Sequence, residues 1–506
     1  MIENRSRLFA ALLAGTLAFA LAAPSFAQTA RRTSDSAKEQ SSEASRLPAD
    51  ATTDHTLELP GRTLRFKAIA GSIPINNTEG KLQAEIAYIA YVRPDGDAAG
   101  RPVTFAFNGG PGASSAYLHL GAMGPWRLPL DGITPSSTPT VVPNPETWLD
   151  FTDLVFVDPV GTGYSRFINT SDEVRKQFWS VDGDIDVLAT FMRKWIEKNG
   201  RQTSKKFIAG ESYGGIRAPR LASKLNDQGV GVSGLVLVSA PLDLGWRGNG
   251  RHSPLGWVAR LPSMAAAVRE EKSPFDREAL RDIERYACGE YLQDLLRGER
   301  DSAAVERITA RVAPLTGLDP ALVRRRAGRI DIRTFQRERN HGSVVSMYDA
   351  TVRGIDPDPS ASYSNFEDPV LNGLRAPLSS AMTSLYARTL NWRVEEPYQL
   401  LNGRVNSRWD WGAGRSTQEI VSDLRSVLAA DPKLRVLVTH GASDLVTPYF
   451  ETQMILDQMP VFASPDRLKS TVYGGGHMYY SRDTSRRALR DDAMELYRAA
   501  EQAPRG

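Results

Sequence analysis

Cysteine is almost absent from this chain: among 506 residues there is one, Cys288. A single thiol excludes an intramolecular disulfide framework, so buried apolar surface must hold the fold, and a chain this long can supply it. Cys288 lies in Arg285-Tyr286-Ala287-Cys288-Gly289 with no local partner, and reads as a packing or idle thiol rather than a nucleophile. Charge of one sign is also scarce. The formal net charge is +3, which gives no electrostatic footprint for nucleic acid. The densest basic run, Arg324-Arg325-Arg326, has acidic residues around it and reads as a solvated helical face. Beyond the N-terminus no run of about 18 or more apolar residues occurs, so no later membrane span is expected. No H-E-x-x-H or clustered His/Cys set is present, which argues against a metallohydrolase. No internal repeat is visible.

The N-terminus has the layout of an export signal. Arg5 and Arg7 form a positive region, residues 8–23 are apolar, and Ser25-Phe26-Ala27 supplies small residues at a cleavage-type site. The expected signal peptide is 1–27; an uncleaved anchor is the rival reading. Residues 28–53 are rich in Ser, Ala, Thr, Arg and Glu and read as a flexible leader. This layout implies a periplasmic or secreted protein with no stable membrane anchor after cleavage.

Period-two patterns at residues 63–68 and 84–92 predict antiparallel strands. Short, nearly continuous apolar runs at 103–107, 154–157, 207–209, 235–238 and 436–438 predict strands buried on both faces. Between them, residues 181–198 carry Ile185, Leu188, Met192 and Trp195 at helical spacing, with Gly200 as a stop. Such alternation predicts an α/β fold with a mostly parallel central sheet covered by helices on both faces. It breaks over 245–423, where residues 278–297 and 302–312 read as charged amphipathic helices. That stretch is expected to be a helical insertion, a cap between two parts of the sheet domain: 54–244, which carries the nucleophile, and 424–506.

One serine stands out. Ser212 sits in Gly210-Glu211-Ser212-Tyr213-Gly214, after an apolar run (207–209) and before a helix-like stretch (216–225). G-x-S-x-G between a strand and a helix is the nucleophile elbow of the α/β-hydrolase fold, a strained turn that holds the Ser Oγ at the top of the sheet. A hydroxyl needs a base, and the base needs an orienting carboxylate, in chain order Ser, acid, His. Six histidines are available. His477 follows a predicted strand (469–473) and three glycines, a loop suited to a base that must reach over a nucleophile. Asp444 follows the strand ending near Thr439, and one helix plus one strand fit between the two. His440 is the weaker alternative base. The oxyanion needs backbone N–H donors; the glycine-rich loop Asn108-Gly109-Gly110-Pro111-Gly112 after the run at 103–107 and the residue following the nucleophile supply them, from Gly110 and Tyr213. None of this chemistry calls for a cofactor or a metal.

Five segments occur in a familiar order: NGGPGASS at 108–115, VDPVGTGYS at 157–165, GESYGG at 210–215, SDLVTP at 443–448 and GGGH at 474–477. Together they make the chain resemble the serine carboxypeptidases, exported α/β-hydrolases that remove C-terminal residues from peptides. The resemblance implies a triad of Ser212, Asp444 and His477, and peptides as substrates. It also implies a grip on the substrate's C-terminal carboxylate by Asn108 and Gly109 of the NGGPG loop and by Glu211; one carboxyl facing another is costly unless one is protonated, which suits acidic pH. A further glutamate of the family falls at Ala122, a departure that implies looser carboxypeptidase specificity. The family's cysteine in the NGGPG loop is replaced by Ala113, which marks a bacterial-type branch. An esterase or acyltransferase using the same acyl-enzyme is the alternative, and a catalytically dead binding protein is disfavoured by the intact triad. The sequence carries no signal for an oligomeric state.

Overall fold

The computed structural model describes residues 46–94, 100–168, 171–247 and 252–502. Its framework is one large sheet. The strands are β1 (Ala51–Leu59), β2 (Arg62–Asn76), β3 (Leu82–Val92), β4 (Val103–Phe107), β5 (Asp153–Val157), β6 (Lys206–Glu211), β7 (Gly234–Val238), β8 (Arg435–Gly441) and β9 (Leu468–Tyr473). Their spatial order is β1-β2-β3-β5-β4-β6-β7-β8-β9, with a short tenth strand, Arg166–Phe167, beside β3. The stretch from β5 to β9 is parallel, and β1 to β3 form an antiparallel edge.

The apolar runs become central strands because both faces are covered. Alternate residues go to opposite cores. In β6, Phe207 and Ala209 enter one core and Ile208 the other; in β7, Val236 and Val238 face one way, Leu235 and Leu237 the other. Helices α1 (Val181–Lys198) and α2 (Tyr213–Asp227) close one face through Ile185, Leu188, Met192, Trp195, Ile216 and Leu225. The C-terminal helix, Asp483–Gln502, closes the other through Leu489, Leu496 and Tyr497. Each such aliphatic side chain contributes about 1.5–3 kcal/mol on burial. Among the described residues no helix is long and apolar enough to cross a membrane.

Two boundaries differ from those read in the sequence. The leader was expected to reach Thr53, yet β1 begins at Ala51 and the chain is docked from Arg46: Arg46 pairs with Glu85 at 2.6 Å, the Leu47 amide donates to the same carboxylate at 2.9 Å, and Tyr88 and Lys198 both donate to Asp50. Partners this far along the chain leave no local trace in composition. The expected signal peptide and the rest of the leader lie outside the described residues. The stretch 245–423, in turn, is not one separate layer. Helix Leu255–Glu270 and its neighbours up to Val345 build their own core, which also takes in Leu445 and Tyr449. Helix Pro369–Ser384 packs Leu374 and Leu378 into one core of the sheet, and Val405, Trp409 and Ile420 pack into the other. The stretch also includes a two-stranded antiparallel pair, Ser343–Val345 with Arg353–Ile355, and its expected end at Asp423 falls inside the helix Val421–Ala430.

Candidate active site

At the end of β6 the chain turns abruptly into α2. Ser212 sits at φ 55°, ψ −124°, in a region that costs a non-glycine residue of order 1–3 kcal/mol. Its amide donates to Val238 O at 2.9 Å, tying the turn to β7. A Cβ at Gly210 would lie 2.0 Å from Gly214 O, so the turn can close only on glycine there. Tyr213 opens α2, and its N–H is one of those that a helix start leaves without an intrahelical acceptor. Gly109 packs on this point: a Cβ there would come within 2.4 Å of Tyr213 N. The missing side chain lets the loop after β4 lie against the elbow, bringing the Gly109–Gly110 backbone beside the Tyr213 amide.

Beyond β8 the chain enters the loop that carries Asp444, which is fully buried. Its Oδ1 accepts from the amides of Val446 (2.7 Å) and Thr447 (3.0 Å). Its Oδ2 accepts from Thr447 Oγ1 at 2.6 Å and from His477 Nδ1 at 2.7 Å. A carboxylate can only accept, so Nδ1 carries the proton and the neutral ring keeps its lone pair on Nε2. Burial pulls the His477 pKa down, but the Asp444 charge, its hydrogen bond and the charge of Glu211 outweigh that and raise it above the ordinary value. His440, the alternative base, is buried with its Nδ1 against Thr447 O at 3.2 Å; burial pushes its pKa to about 4, and it does not line the cavity.

Ser212 and His477 open onto a cavity of about 760 Å³. Asn108, Gly109, Gly110, Glu211 and Tyr213 line it too, so every residue assigned from the sequence borders one space except Asp444, which lies behind His477. Asn108 and Glu211 meet there: Asn108 Nδ2 donates to Glu211 Oε2 at 2.6 Å, while Asn108 Oδ1 is fixed by the Leu118 amide at 2.9 Å. Desolvation raises the Glu211 pKa to about 7, against the opposing pull of His477 and of the hydrogen bonds from Tyr480 and Asn108. Because Oε2 already holds two donors, a proton on this carboxyl belongs on Oε1.

Ala122 is not a cavity residue. It is fully buried in the turn His119–Met123, its carbonyl bonded by Asn144 Nδ2 at 2.9 Å, and among the described residues Glu211 is the one carboxyl in the cavity wall. Cys288 is exposed, lies against Met454 and does not border the cavity.

Three supporting residues were not singled out in the sequence. Tyr480 donates its hydroxyl to Glu211 Oε2 at 2.7 Å. Thr447 braces Asp444 as described above. Asp349 joins the loops that carry Asp444 and His477: Oδ1 accepts from Ser443 Oγ at 2.9 Å and Oδ2 from the Gly476 amide at 3.1 Å. Its neighbours complete a strap, with Tyr348 O accepting from the His477 amide and the Ala350 amide donating to Ser443 O. Two of them carry a sequence signal: Thr447 lies in the SDLVTP segment at 443–448, and Tyr480 stands three residues past His477.

A serine carboxypeptidase family model matches residues 60–234, the part holding the NGGPG loop and the elbow. Over these residues the chain is similar to the serine carboxypeptidase family. It is 25% identical over 362 residues to the pheromone-processing carboxypeptidase KEX1 of Coccidioides posadasii, covering 70% of this chain and 48% of that protein. It is 30% identical over 213 residues to serine carboxypeptidase-like 34 of Arabidopsis thaliana, covering 39% of this chain and 40% of that one. The chain thus spans about half the length, or less, of these curated relatives. The fold matches the crystal structure of Kex1(delta)p, a prohormone-processing carboxypeptidase from Saccharomyces cerevisiae, with a TM-score of 0.53 at 15% identity over 86% of this chain and 91% of that one. This is the α/β-hydrolase fold expected of the serine carboxypeptidase family.

Proposed function

We propose that this protein is a serine carboxypeptidase that releases C-terminal residues from peptides through an acyl-enzyme on Ser212. The observation that carries the reading is the pairing of a Ser212, His477 and Asp444 constellation with an Asn108–Glu211 pair in the same cavity. His477 Nε2 takes the Ser212 proton as Oγ attacks the scissile carbonyl. Asp444 holds the ring in its tautomer and stabilises the imidazolium that forms. The amides of Gly110 and Tyr213 receive the developing oxyanion. His477 then returns the proton to the departing amine, and water, activated by the same base, frees the acyl group.

The Asn108–Glu211 pair supplies the reason for acting on a chain end. With Glu211 protonated, its Oε1–H and the second Asn108 N–H offer two donors to a substrate carboxylate, joined by the Gly109 amide of the same loop. A pKa of about 7 keeps that proton in place in acidic surroundings and lets it go as pH rises through neutrality. The absence, among the described residues, of a second carboxyl in the cavity wall beside Glu211 favours, as a second reading, an esterase or acyltransferase that needs no free carboxylate. We also propose that the chain is exported, with residues 1–27 removed; Edman sequencing of the mature protein should start near Gln28. The activity is tested by incubating the full chain with a blocked dipeptide and detecting products by mass. Release of one free C-terminal amino acid supports the reading. Cleavage of esters alone would favour the second.

A further inference from the structure

The cavity wall carries three cations that the triad and the Asn108–Glu211 pair leave unused: Arg247, Arg260 and Arg415. Arg247 pairs through Nε with Glu451, whose side chain is buried, and donates through Nη2 to Val446 O at 3.2 Å. Val446 in turn donates its amide to Asp444, so this guanidinium is one residue from the triad acid loop. Arg415, at the exposed side, lies over the Trp411 ring at 5.4 Å, and Trp411 meets the ring of Tyr213 edge-on at 5.6 Å.

Arg260 is the informative one. Its Nη1 donates to Gly256 O at 3.2 Å, a carbonyl of its own helix, and its Nε is buried with no partner. Among the described residues no carboxylate lies within ion-pair distance of it. Burial and the repulsion of Arg247 push its pKa down to about 10, with Glu451 and Asp331 opposing. The other acid that acts on Arg260, Asp331, is committed elsewhere: it accepts from Thr334 N and Oγ1 and pairs with Arg326. Of the two inward arginines, only Arg247 is in ion-pair contact with Glu451, which reaches Arg260 as a longer-range charge alone. A half-buried guanidinium without a counter-charge is costly, and its planar fork fits a carboxylate on two donors.

From this charge imbalance we infer that Arg260, with Arg247 and Arg415, forms a subsite for the carboxylate side chain of an aspartyl or glutamyl residue adjoining the scissile bond. The inference rests on the peptide reading above and narrows it to acidic peptides.

The test pairs turnover with binding. Blocked dipeptides carrying Glu, Gln, Lys or Leu on either side of the cleaved bond are compared on the native sequence and on the Arg260 variants. The same Glu and Gln peptides, as free acids and as C-terminal amides, are titrated calorimetrically against the Ser212→Ala chain. Glu should be preferred over Gln at one position by about ten- to a hundredfold in kcat/KM and in affinity, the range for one charge-assisted hydrogen bond. The affinity preference should persist in the amides, because the arginines read a side chain. Arg260→Gln should bring the ratio near one, and Arg260→Glu should turn it toward Lys. Equal affinities for Glu and Gln would overturn the subsite, as would a preference that vanishes on amidation, which would assign the arginines to the chain end. If the native protein cleaves no peptide while the Ser212→Ala chain still binds Glu more tightly, the hydrolytic reading falls and the subsite stands.

Discussion

Tyr480 and Asn108 donate to the same oxygen of Glu211, Oε2, at 2.7 and 2.6 Å. The arrangement settles which oxygen is free to carry a proton into the cavity. It also stabilises the ionised carboxylate, so that burial alone does not set its pKa. Tyr480→Phe removes one of these donors. The Glu211 pKa should rise further, and the alkaline fall of free-acid peptide cleavage should move to higher pH. Ester hydrolysis, which has no carboxylate to grip, should keep its profile. A pH profile of kcat/KM on both substrate types checks this; an unshifted peptide limb would remove Tyr480 from the site.

Glu211 also links the site to stability. Its folded pKa of about 7 lies above the ordinary 4.5, so folding favours the protonated form. That stabilisation is fully present below pH 4.5 and is lost as pH rises through 7. Glu211→Gln retains an acceptor for Tyr480 and Asn108 and removes the titration. It should be more stable than the native chain at pH 8 by on the order of 3 kcal/mol, with the gap closing at pH 5. Thermal melts at the two pH values measure it. The same variant should extend free-acid peptide cleavage above pH 7.

Asp349 binds the acid loop through Ser443 and the base loop through Gly476. Asp349→Ala leaves both donors unsatisfied, at about 1–3 kcal/mol each. It should lower kcat by about ten- to a hundredfold through misplacement of the Asp444–His477 pair, with a much smaller change in KM. Asp349→Asn keeps one acceptor oxygen and should recover part of the loss. Steady-state kinetics and denaturant melts on the two variants separate positioning from simple unfolding.

The parts of this account that were legible in the sequence are those whose cause is local. The run 103–107 reads as a buried strand because its five residues are all apolar or small enough for two cores, and it is one. Residues 181–198 show their stripe at helical spacing and form α1 over the same residues. Ser212 announces itself because the elbow needs glycines at fixed offsets. Asp444 and His477 are found as loop residues past strands. What stayed hidden depends on partners far away in the chain. Tyr480, Asp349 and Arg260 are ordinary residue types on ordinary helices and loops, and only the folded chain brings them to Glu211, to the triad loops and to the cavity wall. The docking of Leu47 on Glu85 hid the true start of β1 in the same way, and the amphipathic helices of 245–423 did not reveal which core each would join.

The most direct measurement compares one blocked dipeptide as its free acid and as its C-terminal amide, on the native chain and on Ser212→Ala, with products detected by mass. The account expects release of the C-terminal residue from the free acid, at least about tenfold slower cleavage of the amide, and a loss on the order of 10⁴ or more in kcat for Ser212→Ala. Equal rates on acid and amide would contradict the carboxylate grip of Asn108 and Glu211. Unchanged turnover in Ser212→Ala would contradict the nucleophile itself.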